Sequence, residues 1–291
     1  MPMINLFMKT ENLLFENNPI QDDLDIFEKK LRNIIVNYDN FLLEDISNFI
    51  FSNPKRLRPI TVFLFSKILN INSPLVMKIA LISELIHSAS LIHDDILDEA
   101  ELRRKNKTLY SKYGSKIAVL EGDLLLSSAL ELLAETNLEI SKIYSKRIKL
   151  TIQGELKQNE NLFNTQDENE YFKKTFNKTG NLFLAGLEAL FSLGEYNKNL
   201  EDFIINYSMA FQLKNDIKGI KEDRNLGNYT LVMLYFLKDY KIEDFSKKNL
   251  DKYIKKANEK IEFYKANARK SLNFIEKTQY SEALSKLLDL I

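Results

Sequence analysis
The segment SPLVMKIALISELIHSASLIHDDILDEAE, residues Ser73 to Glu101, decides the fold class. Its apolar residues recur at helical spacing and cover most of the helix circumference, as is typical of a helix inside a large bundle. Ser73 is suited to the N-cap and Pro74 to the first helical position. The same spacing recurs in nearly every other segment between the glycines and prolines. The sequence therefore predicts an all-α protein.

The composition supports this fold class. The chain has 291 residues, of which 45% are hydrophobic, so it can bury a sizeable core. Eight glycines and five prolines provide few turns for a many-stranded sheet. Neither a linker nor a short-period repeat divides the chain. We therefore expect one domain over residues 1–291, a single large bundle of long, mostly antiparallel helices.

Charge and cysteine content narrow the possible partners and compartment. Lys and Arg together number 41, as do Asp and Glu, so no global basic field attracts nucleic acid or an anionic membrane. The chain contains no cysteine, which excludes disulfides and thiolate metal sites. The first residues lack a signal-peptide pattern, and we find no run of about 18 consecutive apolar residues. We expect a cytoplasmic protein without a transmembrane segment or a nucleic-acid partner.

The remaining segments give a coarse map of the elements. Residues 20–51 read as one or two amphipathic helices. The polar segments NLFNTQDENE, residues 161–170, and KEDRNLGNY, residues 221–229, are expected to be surface loops. The Lys-rich tail from Lys238 to Ile291 is expected to form two or three peripheral helices.

An acidic cluster lies at the end of the opening segment. Asp94 and Asp98 are one helical turn apart and share a face, with Asp95 beside them. This geometry suits a hard cation with oxygen ligands, Mg²⁺ above all. Arg103 and Arg104 follow within about two turns, and arginine recognises phosphate in a bidentate manner. Carboxylates, metal and arginines together indicate a diphosphate site, whereas the simpler interpretation is a solvated acidic helix end followed by a basic loop.

From about Asn53 to Leu231 the chain resembles the trans-isoprenyl (polyprenyl) diphosphate synthase family. The resemblance is carried by ordered partial matches: KRLRP at 55–59, ELIHSASLIHDDILD at 84–98, EGDLLLSSALELL at 121–133, NKTGNLF at 177–183 and FQLKND at 211–216. It implies the isoprenoid synthase fold, in which the helices surround a deep central cavity. It also implies Mg²⁺ as cofactor and a homodimer, whose interface would include SSALELLAE, although such stripes are more often core.

The resemblance implies a role for each matching residue. Isopentenyl diphosphate would be held by Lys55, Arg58, His87 and Arg104. The allylic diphosphate would be held by Arg103, Lys178 and Thr179, with Phe211 and Gln212 beside it. His87 lies seven residues before Asp94 and thus two turns down the same helix face, although a lone histidine on an apolar helix is more often a core residue.

The implied reaction is a head-to-tail condensation, with Asp94, Asp95, Asp98, Arg103, Lys178 and Gln212 as the catalytic residues. The C–O bond of the allylic diphosphate breaks while bound Mg²⁺ neutralises the leaving diphosphate. The alkene of isopentenyl diphosphate attacks the resulting allylic cation, and the departing diphosphate accepts the proton then lost. The cation must be protected from water, so the cluster is expected at the mouth of an apolar cavity.

The chain departs from the family pattern in three places. NPK stands where the family has Gly-Gly-Lys, and Pro54 removes an amide donor that would contact phosphate. The second aspartate-rich motif reads NDIKG rather than DDxxD, which leaves Asp216 as the one carboxylate of three. GNYTLV places Asn228 where the family has a lysine, and we expect Lys221 to substitute for that lysine.

The altered second motif leaves alternatives open. Asn215, Gly219 and Asp223 are spaced by four residues, so Asn215 and Asp223 would flank a metal if the helix continues. The pattern NDIKGIKED is similar to the second metal motif of class I terpene cyclases, which share the fold. A cyclase is one rival, although it has no second substrate. A weakly active partner subunit of a heteromeric synthase is another.

The residues beneath Asp94 predict the product length. Ser90 lies one turn below Asp94, Ala89 lies beside Ser90, and Ile86 lies two turns below, about 12 Å along the helix axis. Bulky aromatic residues at the first two positions would close the cavity near a farnesyl chain, and Ala89 and Ser90 do not. We therefore expect geranylgeranyl diphosphate or a longer product, unless Ile86 or another helix forms the floor.

Overall fold
Helices follow one another along nearly the whole of the computed structural model, which describes residues 18–38, 42–104, 106–160, 162–164, 167–246 and 248–291. The helices are α1 Gln21–Val36, α2 Leu43–Phe51, α3 Leu57–Ile68, α4 Leu75–Leu97, α5 Leu109–Ala134, α6 Leu138–Glu160, α7 Glu168–Thr175, α8 Asn181–Phe191, α9 Lys198–Lys218, α10 Ile220–Asn225, α11 Leu231–Phe236, α12 Asp251–Leu272 and α13 Gln279–Leu287. The all-α prediction is confirmed.

Extended structure in the described residues is limited to one short antiparallel hairpin. Its strands are β1 Leu102–Arg103 and β2 Asn106–Lys107, with Leu102 paired to Lys107 and Arg103 to Asn106. A turn of π-helix, Phe176–Gly180, connects α7 to α8. Such turns are rare and frequently occur at functional sites. Both irregular elements carry basic residues that the sequence assigned to diphosphate binding.

The opening segment forms α4, which packs against α3, α5 and α8. The helix begins at Leu75, one residue later than predicted. Ser73 Oγ accepts a hydrogen bond from the Leu75 amide at 3.2 Å. By length and composition α4 could cross a membrane, with a mean hydropathy of 1.7. However, 67% of that window is buried inside the protein, as in the core helix of a bundle.

Two hydrophobic clusters support the helices. The larger cluster includes Phe27, Phe63, Leu85 and Phe203 and joins α1, α3, α4 and α9. Edge-to-face contacts between its aromatic rings, such as Phe27 with Phe63 at 6.2 Å, stabilise such packing beyond area burial alone. The second cluster joins α7, α9, α11 and α12.

Parts of the coarse map need correction. Residues 20–51 form two helices, α1 and α2. The tail forms α12 and α13, but α12 is not peripheral: Tyr253, Ala257 and Ile261 are buried in the second cluster, because its apolar stripe faces α9.

The two predicted polar loops also contain helix. Asp167 caps α7 by accepting a hydrogen bond from the Glu170 amide at 2.8 Å, so α7 includes the last residues of the first segment. The second segment is helical through α10 and turns at Gly227, whose φ of +75° favours glycine. The ring of Phe163 lies over Gly227, within 2.6 Å of where a Cβ would be. This packing fixes the turn that presents Asn228.

Candidate active site
A polar cavity of about 520 Å³ lies between the end of α4, the β1–β2 hairpin, α7, the π turn, α9 and α10. Its charged and amide side chains are those of Asp95, Arg103, Arg104, Gln158, Lys174, Lys178, Gln212, Asn215, Asp216, Glu222, Asp223 and Asn228. We call it the main cavity. Residues from both predicted acidic motifs thus line one space, although more than 110 positions separate them in the chain.

A second cavity of about 380 Å³ adjoins the main one and shares Arg103, Arg104, Lys178, Gln212 and Asn215 with it. Its other lining residues are Lys55, Arg56, Leu57, Arg58, Glu84, His87, Ser90, Leu91, Asp94, Thr179, Leu182 and Phe211. The predicted isopentenyl diphosphate residues Lys55, Arg58, His87 and Arg104 therefore lie together in this side cavity. The residues predicted for the allylic diphosphate, Arg103, Lys178, Thr179, Phe211 and Gln212, also line the side cavity, and three of them, Arg103, Lys178 and Gln212, line the main cavity too.

The first acidic motif is divided by its hydrogen bonds. The Asp95 carboxylate is 2% exposed and accepts hydrogen bonds from Arg103 Nε at 2.8 and 2.9 Å. Arg103 Nη2 lies 2.7 Å from the same carboxylate. Asp94 and Asp98 accept no side-chain hydrogen bond from any described residue, and burial raises the pKa of Asp94 to about 6. Burial raises the pKa of Asp98 too, against the opposing charge of Lys178, and neither carboxylate forms an ion pair with a described residue.

Lys178 projects from the π turn toward these carboxylates. Its Nζ lies 3.0 Å from Glu155 Oε2, and Asp94 and Glu155 raise the pKa of its ammonium despite burial. Glu155 lies on α6, where Gly154 permits close approach: a Cβ at Gly154 would be 2.8 Å from Asn177 Cβ. Sequence reasoning missed Glu155, and the signal was an acid next to a glycine in QGELKQ.

The second acidic motif is assembled from hydrogen bonds between three elements. Thr179 Oγ1 donates to Gln212 Oε1 at 2.7 Å, and Gln212 Nε2 donates to Asp216 Oδ1 at 2.7 Å. Tyr171 donates its hydroxyl hydrogen to the other oxygen of Asp216. Both oxygens of Asp216 are therefore engaged, and the orientation of the Gln212 amide is fixed.

Asp223 compensates for the glycine in this motif. The helix α9 ends at Gly219, and Asp223 Oδ2 lies 3.5 Å from where a Gly219 Cβ would be. The carboxylate thus fills the space that a side chain at position 219 would enter. Burial, followed by the charge of Asp216, raises the pKa of Asp223 to about 7. Asn215, Gly219 and Asp223 all line the main cavity, as their four-residue spacing indicated.

The side cavity is predominantly cationic. Arg58 is 8% exposed, its guanidinium lies 4.6 Å from the Phe183 ring centroid, and its buried Nε has no hydrogen-bond partner in the described chain. Burial lowers the pKa of Arg58 to about 10, so it remains charged at neutral pH. Lys55 lies 5.1 Å from the Phe211 ring centroid. Burial, together with Arg58 and Arg104, holds the pKa of His87 well below its usual value, so His87 is neutral without a ligand.

The unusual NPK loop is held by a residue that sequence reasoning missed. Asn53 and Arg56 both have positive φ, 49° and 48°. The buried Arg56 guanidinium donates to Glu28 at 2.6 Å and to Glu84 at 2.7 Å. This buried network fixes the backbone between Lys55 and Arg58, so Pro54 belongs to an ordered loop.

Two predicted placements differ from the structure. Lys221 is exposed and lines neither cavity, so it does not substitute for the lysine that is absent at position 228. The helix α10 directs it away from the site, whereas the buried Lys174 lines the main cavity. Of the proposed chain-length residues, Ser90 lines the side cavity, while Ala89 and Ile86 are buried in the apolar core.

Oxygen ligands for a hard cation are present, but they do not form a closed protein cage. Within the described ranges, no group of three or more His, Asp or Glu side chains converges to hold a metal ion. Asp94 and Asp98 lie at the C-terminal end of α4, whereas Asn215 belongs to α9 and Asp223 to α10. A cation here would need water or phosphate oxygens to complete its coordination.

Fold and site together define a class of protein: a helical bundle that binds diphosphates in a cavity with carboxylates on both sides. A family model for polyprenyl synthetase matches residues 40–268. The chain belongs to this family and is a trans-prenyltransferase, as its motifs indicated.

Individual relatives agree with this assignment. A prenyl transferase of Cyanidium caldarium is 32% identical over 238 residues, 75% of this chain and 74% of that protein. The chloroplastic solanesyl diphosphate synthase 1 of Arabidopsis thaliana is 35% identical over 227 residues, covering 70% and 56%. Component 2 of the heptaprenyl diphosphate synthase of Bacillus subtilis is 30% identical over 237 residues, covering 76% and 68%.

Solved structures share the fold. Heptaprenyl diphosphate synthase from Staphylococcus aureus superposes with a TM-score of 0.84 at 23% identity, covering 93% of this chain and 96% of that one. A polyprenyl synthase from Caulobacter crescentus, solved with calcium and isoprenyl diphosphate, gives 0.81 at 22% identity, covering 93% and 94%. At these identities the likeness shows the isoprenoid synthase fold alone.

Proposed function
We propose that the protein condenses isopentenyl diphosphate with an allylic diphosphate such as farnesyl diphosphate, with Mg²⁺ as cofactor, and releases a longer trans-polyprenyl diphosphate. The observation that carries this proposal is the pair of adjoining cavities that share Arg103, Arg104, Lys178 and Gln212. Both cavities contain basic side chains that would bind a diphosphate, and two adjoining cavities of this kind match two diphosphate substrates. A terpene cyclase binds a single diphosphate.

Each cavity has the side chains that its substrate requires. In the side cavity, Arg58 and Lys55 would bind the diphosphate of isopentenyl diphosphate by charge-assisted hydrogen bonds. The buried Nε of Arg58, which has no hydrogen-bond partner among the described residues, would supply a further donor. His87 would add a neutral hydrogen bond that strengthens as the bound anion raises its pKa. Lys178 and Arg103 would hold the allylic diphosphate in the main cavity, next to Thr179 in the adjoining side cavity.

The residues of the site fit a bound Mg²⁺. Asp94 accepts no hydrogen bond from a described side chain, and burial raises the pKa values of both Asp94 and Asp223. Mg²⁺ typically takes one or two carboxylates and completes its shell with water and phosphate oxygens. Asp94 and Asp98 on one wall and Asn215 and Asp223 on the other would hold it, with Asp95 and Asp216 beside them. Bound Mg²⁺ would neutralise negative charge on the leaving diphosphate.

The protein's own groups support the bond changes. As the allylic C–O bond breaks, the bonding electrons stay with diphosphate, where Lys178 and Arg103 would stabilise the developing charge. The alkene electrons of isopentenyl diphosphate form the new C–C bond, and the proton lost next to it passes to diphosphate. The Gln212 carbonyl, oriented by Thr179 and Asp216, would steady the allylic cation. Apolar Leu91, Leu182 and Phe211 line the side cavity and would exclude water.

The product is proposed to be longer than farnesyl diphosphate. Ser90 lines the side cavity one turn below Asp94, so the lining there is small and polar. Ala89 beside it is likewise small, and Ile86 follows one turn deeper. No aromatic ring at positions 89 and 90 would therefore block a growing prenyl chain at this level. The names of relatives that make solanesyl and heptaprenyl diphosphates support a long product.

We also propose that two copies assemble through α5 and α6 and that the enzyme acts in the cytoplasm. Leu120 and Leu130 of α5 and Leu138, Ile152 and Leu156 of α6 are exposed by more than half of their side-chain surface, an unusual apolar face for a monomer. The Bacillus subtilis relative is named as a component, which supports a second candidate, a subunit that pairs with a different chain. Other relatives are named as chloroplastic enzymes.

One incubation tests the function. The purified protein is incubated with Mg²⁺ and farnesyl diphosphate, with and without labelled isopentenyl diphosphate, and the products are separated by chromatography. We expect labelled, elongated prenyl diphosphates. A hydrocarbon or alcohol formed without isopentenyl diphosphate would establish a cyclase. An absence of product from every allylic primer would favour the partner-subunit candidate.

A further inference from the structure
The wall of the main cavity contains a chain of three polar side chains to which the proposed function assigns no complete role. Lys174 of α7 is only 9% exposed, and its Nζ donates to Asn228 Oδ1 at 3.1 Å. Asn228 Nδ2 donates to Asp223 Oδ1 at 3.0 Å. All three residues line the main cavity. A single amide thus joins a buried cation to a buried carboxylate.

The ammonium of Lys174 has unused hydrogen-bonding capacity. A lysine ammonium has three N–H donors, and in the described part of the chain Asn228 is the one acceptor within hydrogen-bond distance. The Tyr171 ring, with its centroid 5.7 Å from Nζ, covers another side of the ammonium. Burying a charge with unpaired donors is unfavourable unless a partner is provided. The cavity that Lys174 lines is where such a partner would bind.

A second ammonium lies on the same wall. Lys178 follows Lys174 by four residues across the π turn, and each lines the main cavity. Like charges at this spacing repel one another, and an anion placed between them removes that repulsion. Glu155 pairs with Lys178 at 3.0 Å, but Lys174 forms no ion pair with a described carboxylate, and both oxygens of Asp216 are occupied by Tyr171 and Gln212. Two lysines and the cavity between them form a site for a bridging anion.

We propose that Lys174 binds the diphosphate of the allylic substrate and that Asn228 is a positioning residue. The Asn228 amide holds the phosphate-binding Lys174 and the cation-binding Asp223 at a fixed separation. This separation sets the distance between the bound diphosphate and the bound metal ion. The inference rests on the proposed function for the identity of the ligand, an organic diphosphate. It adds a diphosphate-binding residue and its support.

The experiment measures binding rather than turnover. Farnesyl thiodiphosphate, an allylic analogue that resists ionisation, is titrated calorimetrically into the protein in the presence of Mg²⁺. Lys174→Met removes the ammonium and keeps the apolar stem, and we expect its Kd to rise about tenfold to a hundredfold, as for a lost charge-assisted hydrogen bond. Asn228→Ala is expected to raise Kd by a smaller factor and to weaken Mg²⁺ binding as well.

Two controls distinguish loss of the Lys174 ammonium from a general effect of substitution in this helix. Lys173→Met removes an exposed lysine of the same helix and should leave Kd within about twofold of wild type. Isopentenyl diphosphate titrated into Lys174→Met should also bind within about twofold, because its site is in the side cavity. A Kd for the analogue that Lys174→Met leaves within twofold of wild type would overturn the proposal and leave Lys174 as a counter-ion for Asp223.

A rescue variant keeps the test decisive if Lys174→Met does not fold. Lys174→Asn combined with Asn228→Lys exchanges the ammonium and the amide across the same hydrogen bond. Recovery of analogue binding in this double variant, relative to Lys174→Asn alone, supports a requirement for the cation at this place, and no recovery overturns it. Condensation by the wild-type enzyme is scored separately, so failure of the proposed function is distinguished from failure of this inference.

Discussion

The two acidic motifs beside the cavities have related roles but different architectures. On the α4 wall, which is the C-terminal end of that helix, Asp94, Asp95 and Asp98 lie within about one turn of one another. Asp95 lines the main cavity, and Asp94 lines the adjoining side cavity. On the opposite wall, Asp216 belongs to α9, Asp223 to α10, and Asn228 to the turn that follows. The first wall is a local motif, and the second is assembled from separate segments.

This difference shows when a site can be complete although the sequence motif that forms it lacks some of its carboxylates. A rigid helix converts sequence spacing directly into spatial order, so each position on the α4 wall has no substitute. On the opposite wall α9 ends at Gly219 and α10 begins at the next residue, and the Asp223 amide donates to the Gly219 carbonyl at 2.9 Å. Asp223 therefore lies one turn beyond Gly219, and its carboxylate reaches the space beside that glycine. A side chain missing at one position there is replaced in space by another.

Removing Asp94 should have the largest effect on turnover. Asp94→Asn should lower kcat about a hundredfold to a thousandfold, since no neighbouring carboxylate can take its position on the rigid α4 wall. The control is Glu99→Gln, an exposed acid just beyond the same helix end, for which kcat should stay within about twofold. Steady-state kinetics at saturating Mg²⁺ measures both, and an equally small loss in Asp94→Asn would remove Asp94 from the metal site.

The same substitution should stabilise the ligand-free fold. Because the folded pKa of Asp94 is raised to about 6, its contribution opposes folding as pH rises from about 4 through 6 and is constant above. Asp94→Asn should therefore raise the free energy of unfolding by about 2 kcal/mol at pH 8 and by nearly nothing at pH 4. Urea unfolding without metal at both pH values measures the difference.

Moving the carboxylate tests the assembled wall. Asp223→Ala should lower kcat/KM about tenfold to a hundredfold, because it removes one cation ligand and leaves Asp216 occupied by its hydrogen bonds. Adding Gly219→Asp to that variant returns a carboxylate to the adjacent space and should recover most of the loss. If the double variant is no better than Asp223→Ala, the spatial replacement of position 219 is wrong.

The pH dependence of metal binding should distinguish the walls further. Since burial and Asp216 raise the pKa of Asp223 to about 7, protons compete with the cation at mildly acidic pH. Apparent Mg²⁺ affinity should fall by up to about tenfold per pH unit below 7 in the wild type. In Asp223→Asn the decline should begin nearer pH 6, where Asp94 titrates. Calorimetric Mg²⁺ titrations between these pH values provide the measurement.

A change below the α4 wall should alter the product rather than the rate constant. Ser90→Phe places an aromatic ring in the side cavity one turn beneath Asp94 and should shorten the main product toward farnesyl diphosphate, with kcat for the first condensation lowered by less than about tenfold. Product chromatography identifies the chain length. An unchanged distribution would place the floor of the cavity elsewhere.

The smallest effect is expected at Lys221. Its side chain is exposed and lines neither cavity, so Lys221→Met should change KM for the allylic diphosphate by less than about twofold. Initial-rate kinetics beside Lys174→Met provides the direct contrast between an exposed and a buried lysine. A large increase in KM for Lys221→Met would mean that α10 moves toward the substrate.

The predictability of the site follows the same division. Asp94, Asp98, His87 and Ser90 were readable because they lie on one long helix, where residue spacing determines orientation. The shared face of Asn215 and Asp223 was readable for the same reason. Lys174 was not, because its role depends on α7 and the turn at Asn228 meeting across the cavity, and Lys221 was misplaced because α10 turns its side chain outward.

The fold was predicted at the level of class and less well at its connections. Apolar periodicity identified the long helices, but it gave no sign that α12 packs along α9. The helix α10 was not predicted because residues 221–229 are mostly polar. A short helix that borders a polar cavity has the same composition as a surface loop. Glu155 was hidden for a related reason, since an acid on the polar side of α6 resembles a solvated residue.

The bidentate contact between Arg103 and Asp95 has a consequence for the order of events when substrate arrives. In the ligand-free chain each ion neutralises the other, so neither is left bare in a buried cleft. For a metal ion to reach Asp95, the guanidinium must leave, and its departure frees the group best suited to grip phosphate. Arrival of the cation and capture of the anion then become a single exchange of partners.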